Sequence, residues 1–281
     1  MINTYNESDL HEKLKTIYAL EENGECERQI PGTKWIADVL LKDESVIEIQ
    51  TGNVSALKEK IDHLLKSKKK IKVVKPIIIE KIIETNDGEK STSKKSPKKE
   101  TVYSMLRGLT GVFEELTDEN FELVALFVKC TEARKKTEEK VQILNKSRRH
   151  LKNWIPLGKK LNSIEGKRIF KSKSDYANLL PRSVPKKFTK KELTQAIMEE
   201  SGRESAKWSN LLIWLLLKME IISETEKRGR AKQYELRLNA DCGKSVPKPE
   251  SDRAGEIVDF AEEVKIPVLP LHAKIRIPDS L

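Results

Sequence analysis

The sequence predicts an α/β core near the start of the chain, followed by a mainly α C-terminal part. The apolar runs Trp35–Leu41 and Val46–Thr51 are of strand length and rich in β-branched or aromatic residues. After them, Val54–Lys66 has the spacing of an amphipathic helix, and Ile71–Ile79 has the composition of a further strand. Much later, the segment 188–240 contains two helical stretches followed by a hairpin.

Length, charge and cysteine usage limit the class of protein. The 281 residues are enough for two modest domains, and the net charge of +10 with a pI near 9.3 makes a polyanionic partner plausible, although a lysine excess can also serve solubility alone. Three scattered cysteines predict a reduced compartment. The N-terminus lacks a signal-peptide pattern, and the oiliest run, Leu211–Leu217, is too short to span a bilayer. We therefore expect a cytoplasmic protein that does not enter a membrane.

Composition shifts predict five segments. We expect a first domain over residues 1–85, a flexible basic linker over 86–101 and a helical or mixed middle region over 102–187. A second recognisable module covers 188–240, and a tail covers 241–281.

The middle region is harder to interpret than its neighbours. Val102–Glu115 has a helical pattern, and Phe121–Val128 is apolar on nearly every side, which favours a buried strand over a core helix. Thr131–Trp154 is strongly charged and is predicted to be loop and helix. A short helix is predicted over Asp175–Leu180.

The first domain is predicted to contain a helix, three strands, a second helix and a fourth strand. The first helix runs from about Glu7 to Leu20, and a short strand lies between Glu22 and Pro31. The two apolar runs supply the next strands. The following helix and Ile71–Ile79 then predict a right-handed parallel crossover.

Each apolar run carries an acid, Asp38 in the first and Glu48 in the second. Gln50 follows Glu48 by two residues, so strand periodicity points both side chains to one face. Because an unpaired buried carboxylate is costly, the two acids suggest a site for a hard cation. The alternative is that both acids are satisfied in an ordinary sheet, paired with Lys34, Lys58 or Lys72.

This order of elements, with Asp in one strand and Glu-x-Gln in the next, resembles the PD-(D/E)XK nuclease superfamily, which has a restriction-endonuclease-like fold. The resemblance implies that Asp38 and Glu48 bind metal, that the Ile49 carbonyl is a further ligand and that Glu7 assists from the first helix. Gln50 stands where the superfamily most often has Lys. The run around these residues also resembles a little-characterised bacterial family in which a nuclease-like domain precedes a winged helix.

The implied chemistry is phosphodiester hydrolysis with Mg²⁺ or Mn²⁺. A hard cation held by carboxylates and the scissile phosphate lowers the pKa of a bound water and neutralises developing charge. Gln50 can hydrogen-bond that water but has no positive charge, which leaves an inactive variant as an alternative. His11, on the same polar row as Glu7, is a candidate for contact with substrate phosphate. The basic run Lys66–Lys72 suits contacts to the DNA backbone, or a solvated loop.

The segment 188–240 resembles a winged-helix domain. Thr189 and Glu192 form a capping box for a helix over Lys190–Ser201, and a second helix runs from about Ser205 to Met219. A basic hairpin follows, so we expect the second helix to enter the major groove and the hairpin to reach the backbone. The candidate DNA-binding residues are Lys207, Asn210, Lys227, Arg228, Arg230 and Lys232.

The second helix also has a competing interpretation, because it is apolar almost all round. Its segment Leu211–Leu217 either packs on the middle region or forms a homodimer or partner interface. The C-terminal tail, with the apolar stretch Ile266–Pro278, is a second candidate partner surface.

The sequence thus predicts a Mg²⁺-dependent DNA endonuclease with a DNA-binding winged helix, and the resemblance suggests restriction or anti-phage defence as its setting. The alternative is a catalytically inactive nuclease-like protein that binds DNA or serves as a scaffold within a larger complex.

Overall fold

The computed structural model of the protein describes residues 9–142, 151–202 and 206–237. Its N-terminal elements are α1 (Asp9–Glu21), β1 (Glu25–Gln29), β2 (Ile36–Leu40), β3 (Val46–Ile49), a 3₁₀ turn (Val54–Leu57), α2 (Lys58–Lys66), β4 (Ile71–Asn86) and β5 (Ser91–Lys95). The later elements are a 3₁₀ turn (Val102–Met105), α3 (Leu106–Leu109), a 3₁₀ turn (Glu115–Thr117), β6 (Phe121–Gln142), β7 (Leu151–Phe170), α4 (Lys173–Ala177), β8 (Lys187–Thr189), α5 (Lys190–Ser201), α6 (Ala206–Lys218), β9 (Ile222–Glu224) and β10 (Gln233–Leu236).

The large sheet has seven strands in the order β1-β2-β3-β4-β6-β7, with β5 paired to β4. Strands β1, β2 and β3 form an antiparallel meander, and β3 pairs with β4 in parallel after the crossover through α2. Helices flank this mixed sheet, which confirms the predicted α/β core. The predicted order of helix, three strands, helix and strand is also present.

Helices cover both faces of the sheet, and each covered face has its own buried cluster. On one face, α1 packs Leu10 and Leu14 against Ile47 and Ile49 of β3. On the other face, Ile61 of α2 joins a larger cluster that also contains Val46 and Val73. Alternation along β3 sends successive side chains to opposite faces. The even-numbered position Glu48 therefore lies on the α2 side.

Two strands, β4 and β6, are much longer than the predicted ones, and their pairing removes two predicted boundaries. β4 and β6 pair in parallel from Ile71–Phe121 to Asn86–Lys135, so the boundary predicted between residues 85 and 102 does not separate two sheets. The predicted flexible linker over 86–101 contains β5, which pairs with the end of β4. Charged side chains in this segment suggested a solvated chain, but an exposed strand tolerates them because only its backbone needs partners.

The tolerance of exposed strands for charged side chains explains a second difference between the prediction and the structure. Phe121–Val128 is strand, as favoured, but the described parts of Thr131–Trp154 extend β6 and begin β7 rather than forming loop and helix. These strands pair with each other up to Gln142 and Leu151. Lysine and glutamate are disfavoured in strands by propensity, and cross-strand pairing overrides that preference here.

The two predicted helices and the predicted hairpin of the C-terminal part are present, together with a short strand, β8, that was not predicted. Helix α5 has the predicted bounds and capping box: the N–H of Glu192 donates to Oγ1 of Thr189, and the N–H of Thr189 donates to Oε2 of Glu192 at 2.7 Å. The helix ends at Gly202, whose φ of +66° is in the left-handed region. Strand β10 pairs with both β8 and β9 in a second, three-stranded sheet.

This C-terminal part shares its core with the large sheet. Leu212 and Leu215 of α6 are fully buried in the cluster that contains Ile77 of β4. The hydroxyl of Tyr103 donates to a carboxylate oxygen of Glu200 at 3.1 Å. The described residues form one compact unit rather than the separate domains predicted over 1–85, 102–187 and 188–240. Among the described helices, none has the length and apolar composition needed to cross a membrane.

Candidate functional site

Asp38 and Glu48 meet where the ladder between β2 and β3 opens. The antiparallel register pairs Val39 with Ile47 and Leu40 with Val46, and its continuation places Asp38 opposite Glu48. Side chains replace the backbone partners at this point. The N–H of Asp38 donates to Oε1 of Glu48 at 3.2 Å, and the N–H of Ile49 donates to Oδ2 of Asp38 at 2.8 Å. The two acids singled out by the sequence are therefore direct neighbours.

Glu48 is 5% exposed and forms a buried ion pair with Lys60 of α2. The Nζ of Lys60 lies 2.5 Å from Oε1 of Glu48 and donates a second hydrogen bond to the carbonyl of Ile36 at 2.6 Å. Burial raises the pKa of Glu48, Lys60 opposes that rise, and the nearby charge of Asp38 adds to it. The net pKa of Glu48 is above its usual range, so this carboxylate depends on Lys60 for its charge.

Asp38 is held from the opposite side by His11 of α1. The Nε2 atom of His11 lies 3.2 Å from Oδ2 of Asp38. Burial by itself raises the pKa of Asp38, but the hydrogen bonds from His11 and from the Ile49 N–H outweigh it. The pKa of Asp38 is therefore lowered, and the side chain is a carboxylate at neutral pH.

Gln50 and Lys75 lie at the end of β3, just beyond these acids. Oε1 of Gln50 accepts the N–H of Gly52 at 2.9 Å, so the side chain caps the turn that follows the strand. The N–H of Gln50 continues the parallel ladder by donating to the carbonyl of Val74, which brings Lys75 beside Gln50 in register. The Nζ of Lys75 donates to the carbonyls of Thr51 and Gly52, both at 2.7 Å.

Burial lowers the pKa of Lys75 to about 8, with Lys159 adding to the fall and Glu100 opposing it. Lys75 therefore places a cation with a depressed pKa next to Gln50.

The donor set suits a hard divalent cation. Asp38, Glu48 and the carbonyl of Ile49 offer only oxygen atoms, and Mg²⁺ is commonly held by one or two carboxylates together with waters. Within the described part of the chain, no hydrogen bond reaches Oδ1 of Asp38 or Oε2 of Glu48, which leaves one oxygen of each for a ligand. No group of three or more His, Cys, Asp or Glu among the described residues has a metal-holding arrangement. Glu7, the predicted helical acid, lies outside the described residues.

Lys60 is a residue of the site that was not predicted, although its place in the sequence gives a signal. Lys60 follows Leu57 by three residues and precedes Leu64 by four, so it lies on the apolar stripe of α2. A lysine in such a stripe must reach a buried partner or extend to solvent. The three lysines predicted as alternative partners of the two acids form ion pairs with other carboxylates. Lys34 pairs with Glu59, Lys58 with Asp62 and Glu115, and Lys72 with Glu22 and Glu122.

The candidate DNA-binding residues of α6 are on its exposed side. Lys207 and Asn210 are exposed, and Nζ of Lys207 lies 4.6 Å from the centre of the Trp208 ring. No residue from Leu211 to Leu217 is exposed, because this segment packs into the core of its own chain. The segment therefore packs within its own chain, and a homodimer or partner interface that includes it stays a prediction.

The basic residues of the hairpin are all exposed, but they differ in their partners. Arg228 pairs with Glu192 of α5 at 2.9 Å, and Lys232 pairs with Glu224 at 2.9 Å. Lys227 and Arg230 pair with no carboxylate in the described part of the chain. A cavity of about 490 Å³ separates the hairpin from the start of α5. Its lining residues are Thr189, Lys190, Lys191, Thr194, Ala231, Lys232 and Tyr234.

Comparison with known proteins gives a family match over the N-terminal part. The sequence profile described as "Domain of unknown function (DUF8091)" matches residues 8–171, which run from just before α1 to the end of β7. An uncharacterized protein of Treponema pallidum (strain Nichols) is 24% identical over 257 residues, which cover 91% of this chain and 94% of the relative. No solved structure matches significantly.

Proposed function

The chain belongs to the family of the domain of unknown function DUF8091, and we propose that it is a metal-dependent DNA endonuclease. The family description names no reaction, so the proposal rests on the site itself. The observation that carries it is the pairing of Asp38 with Glu48 where the β2–β3 ladder opens.

The topology around this pair supports a PD-(D/E)XK assignment. An antiparallel meander of three strands, a crossover helix and a fourth strand parallel to the third form the arrangement that the resemblance implies. The two acids lie on the central strands of that unit, with α1 on one side and α2 on the other. The assignment to this superfamily remains a proposal, supported by the order of elements and the position of the acids.

Each residue of the site has a distinct proposed part in the chemistry. Asp38, Glu48 and the Ile49 carbonyl would hold Mg²⁺ or Mn²⁺, which when bound supplies an acidified water and neutralises charge on the phosphate. His11 orients Asp38 through Oδ2 and leaves Oδ1 toward the ligand. Lys60 opposes the rise that burial causes in the pKa of Glu48.

In the proposed site, Gln50 and Lys75 together take the role that a single lysine has in most members of the superfamily. Gln50 can donate a hydrogen bond from its amide but has no charge. The ammonium of Lys75 lies beside it and provides a positive charge near the end of β3, where a scissile phosphate would lie. The loss of Lys at position 50 therefore does not leave this end of the strand without a cation.

The C-terminal elements support delivery to DNA by a winged helix. The order β8, α5, α6, β9 and β10 provides a helix pair followed by a basic hairpin. We propose that Lys207 and Asn210 face a groove and that the hairpin residues contact phosphate. The hairpin residues in question are Lys227, Arg228, Arg230 and Lys232.

The test is a cleavage assay with purified full-length protein, plasmid DNA and Mg²⁺ or Mn²⁺. Wild type is compared with Asp38→Asn and Glu48→Gln, which keep the side-chain shapes but remove one negative charge each. We expect each variant to cut at least about 100-fold more slowly, because each weakens binding of the ion that activates water. The control Lys42→Gln lies in the exposed β2–β3 turn and should cut as wild type does. Cutting that persists in both acid variants would overturn the site.

A second candidate function has its own supporting observation. Both acids already have protein partners, and Oε1 of Gln50 is bound to the turn rather than directed at the acids. These contacts favour a catalytically inactive nuclease-like protein that binds DNA or organises a larger complex. DNA binding in EDTA, together with no cutting in either metal between pH 6 and 9, would select this alternative.

A further inference from the structure

Four paired segments form an extension of the large sheet, here called the basic arm: residues 80–86, 91–95, 129–142 and 151–163. Strand β6 has 22 residues and spans about 70 Å at ~3.3 Å per residue. Its last eight residues are all exposed or half-exposed. Beyond the Asn86–Lys135 pair, β6 pairs only with β7, and this two-stranded ribbon has an irregular stretch in β6 between Lys136 and Val141.

The arm carries much of the chain's positive charge. It contains eleven Lys and Arg against five Glu, a difference of +6 beside the whole chain's +10. Near the sheet core these charges are compensated, since Lys81 and Arg134 both pair with Glu132. Toward the far end they are not. Among the described residues, no carboxylate pairs with Lys135, Lys136, Lys140 or Lys152 there, nor with Lys160, which lies opposite Thr131 nearer the sheet core.

The uncompensated lysines lie on both faces of the arm. The register pairs Thr131 with Lys160, and alternation along β6 places Lys135 on that same face. Lys136 pairs with Trp154 on the opposite face, where the guanidinium of Arg134 stacks 3.7 Å from the Trp154 ring. A flat anionic surface such as a membrane would meet one face of a strand pair. A groove between two phosphate backbones meets both.

We infer that the basic arm binds double-stranded DNA, with the two-stranded ribbon in a groove and its lysines against the flanking phosphates. The major groove is wide enough for a two-stranded β-ribbon. Lysine contacts to phosphate release counterions and dominate such binding. The inference rests on the proposed DNA substrate. It assigns to the arm a binding surface separate from both the acid pair and the C-terminal hairpin.

The test measures binding of full-length protein to a labelled 30-base-pair duplex in EDTA, so it does not depend on cutting. The arm variant combines Lys135→Gln, Lys136→Gln and Lys140→Gln. We expect its affinity at low salt to fall about tenfold or more, and the slope of log K against log salt to fall by about 2 to 3, roughly one per lost phosphate contact. The matched control changes three exposed lysines elsewhere to Gln, namely Lys13, Lys42 and Lys173.

Three further measurements make the result decisive. A variant with Arg at the same three arm positions should bind as wild type does, and thermal unfolding should show that the Gln variant is folded. An equal loss of affinity for the duplex in the arm variant and in the control variant would overturn the inference, as would failure of wild type to bind the duplex at all. Arm-dependent binding to vesicles rich in anionic lipid, without binding to DNA, would identify a membrane surface instead. Cutting of plasmid by wild type without measurable binding to the duplex would refute the arm alone, whereas binding by wild type without cutting would refute only the proposed nuclease.

Discussion

Lys60 and Glu48 form an ion pair of 2.5 Å inside the α/β core, with 8% and 6% of their side chains exposed. A buried pair of this kind is costly to break, because removing one partner leaves the other charge without compensation. The pair also joins α2 to β3 across a face that is otherwise packed with apolar side chains. It therefore links the stability of the sheet to the charge state of the candidate site.

Breaking this pair should destabilise the protein more than replacing it. We expect Lys60→Met or Glu48→Leu alone to lower the free energy of unfolding by about 3–5 kcal/mol, and the double variant to lie near wild type. Urea unfolding of the four proteins measures the coupling. The exposed pair Lys232–Glu224 is the control, and Lys232→Met should cost no more than about 1 kcal/mol. Single variants with wild-type stability would show that the pair does not form.

The lowered pKa of Asp38 predicts how its contribution to stability varies with pH. An acid whose pKa is lower in the folded than in the unfolded protein stabilises the fold above its unfolded pKa, and that contribution is lost as pH falls through the folded pKa. The difference in free energy of unfolding between wild type and Asp38→Asn should therefore be constant near neutrality. It should decline as the pH falls below the ordinary aspartate pKa of 3.8. Unfolding midpoints of both proteins between pH 7 and 3 provide the measurement. A difference that does not change with pH would contradict the lowered pKa.

Lys75 should titrate near pH 8 rather than at the ordinary lysine value of 10.5. Because its folded pKa is depressed by burial, the unfolded chain binds more protons between these values, and the contribution of Lys75 to stability rises with pH across that range. NMR of the protein with isotope-labelled lysine side chains measures the titration directly. Lys75→Met identifies the signal by removing it. A signal that titrates only above pH 10 would place the ammonium in solvent.

The two unpaired cations of the C-terminal hairpin should matter more for DNA binding than the two paired ones. Lys227 and Arg230 are available for phosphate at no cost, whereas Arg228 and Lys232 must first leave Glu192 and Glu224. We expect the double variant Lys227→Ala, Arg230→Ala to lower the salt slope of duplex binding by about 2. Fluorescence anisotropy at several salt concentrations measures it. An unchanged slope would remove the hairpin from the DNA-binding surface.

Helix α6 should couple the C-terminal part to the stability of the whole unit. Leu212 is fully buried in the cluster that includes strands of the large sheet, so Leu212→Ala should cost about 2–5 kcal/mol. Tryptophan fluorescence and circular dichroism should report one shared transition in urea, because the two parts have one core. Two separate transitions would indicate independent domains, as the sequence had predicted.

Local patterns in the sequence predicted much of the fold. The capping box of Thr189 and Glu192 defines the start of α5 by contacts over three residues, so the prediction and the structure agree there. The α/β order around Asp38 and Glu48 was also predictable, since strand and helix periodicities are local properties. The long charged strands β6 and β7 were not, because cross-strand pairing rather than composition stabilises them.

The sequence by itself therefore determined which acids stand on which strands and how far apart they are along the chain. Only the tertiary structure decided their partners: His11 for Asp38, Lys60 for Glu48 and the Gly52 turn for Gln50. The physical reason is that periodicity fixes the direction of a side chain within its own element, whereas the packing of separate elements fixes what that side chain meets. The uncompensated charge of the basic arm arises in the same way, from four segments brought together by pairing.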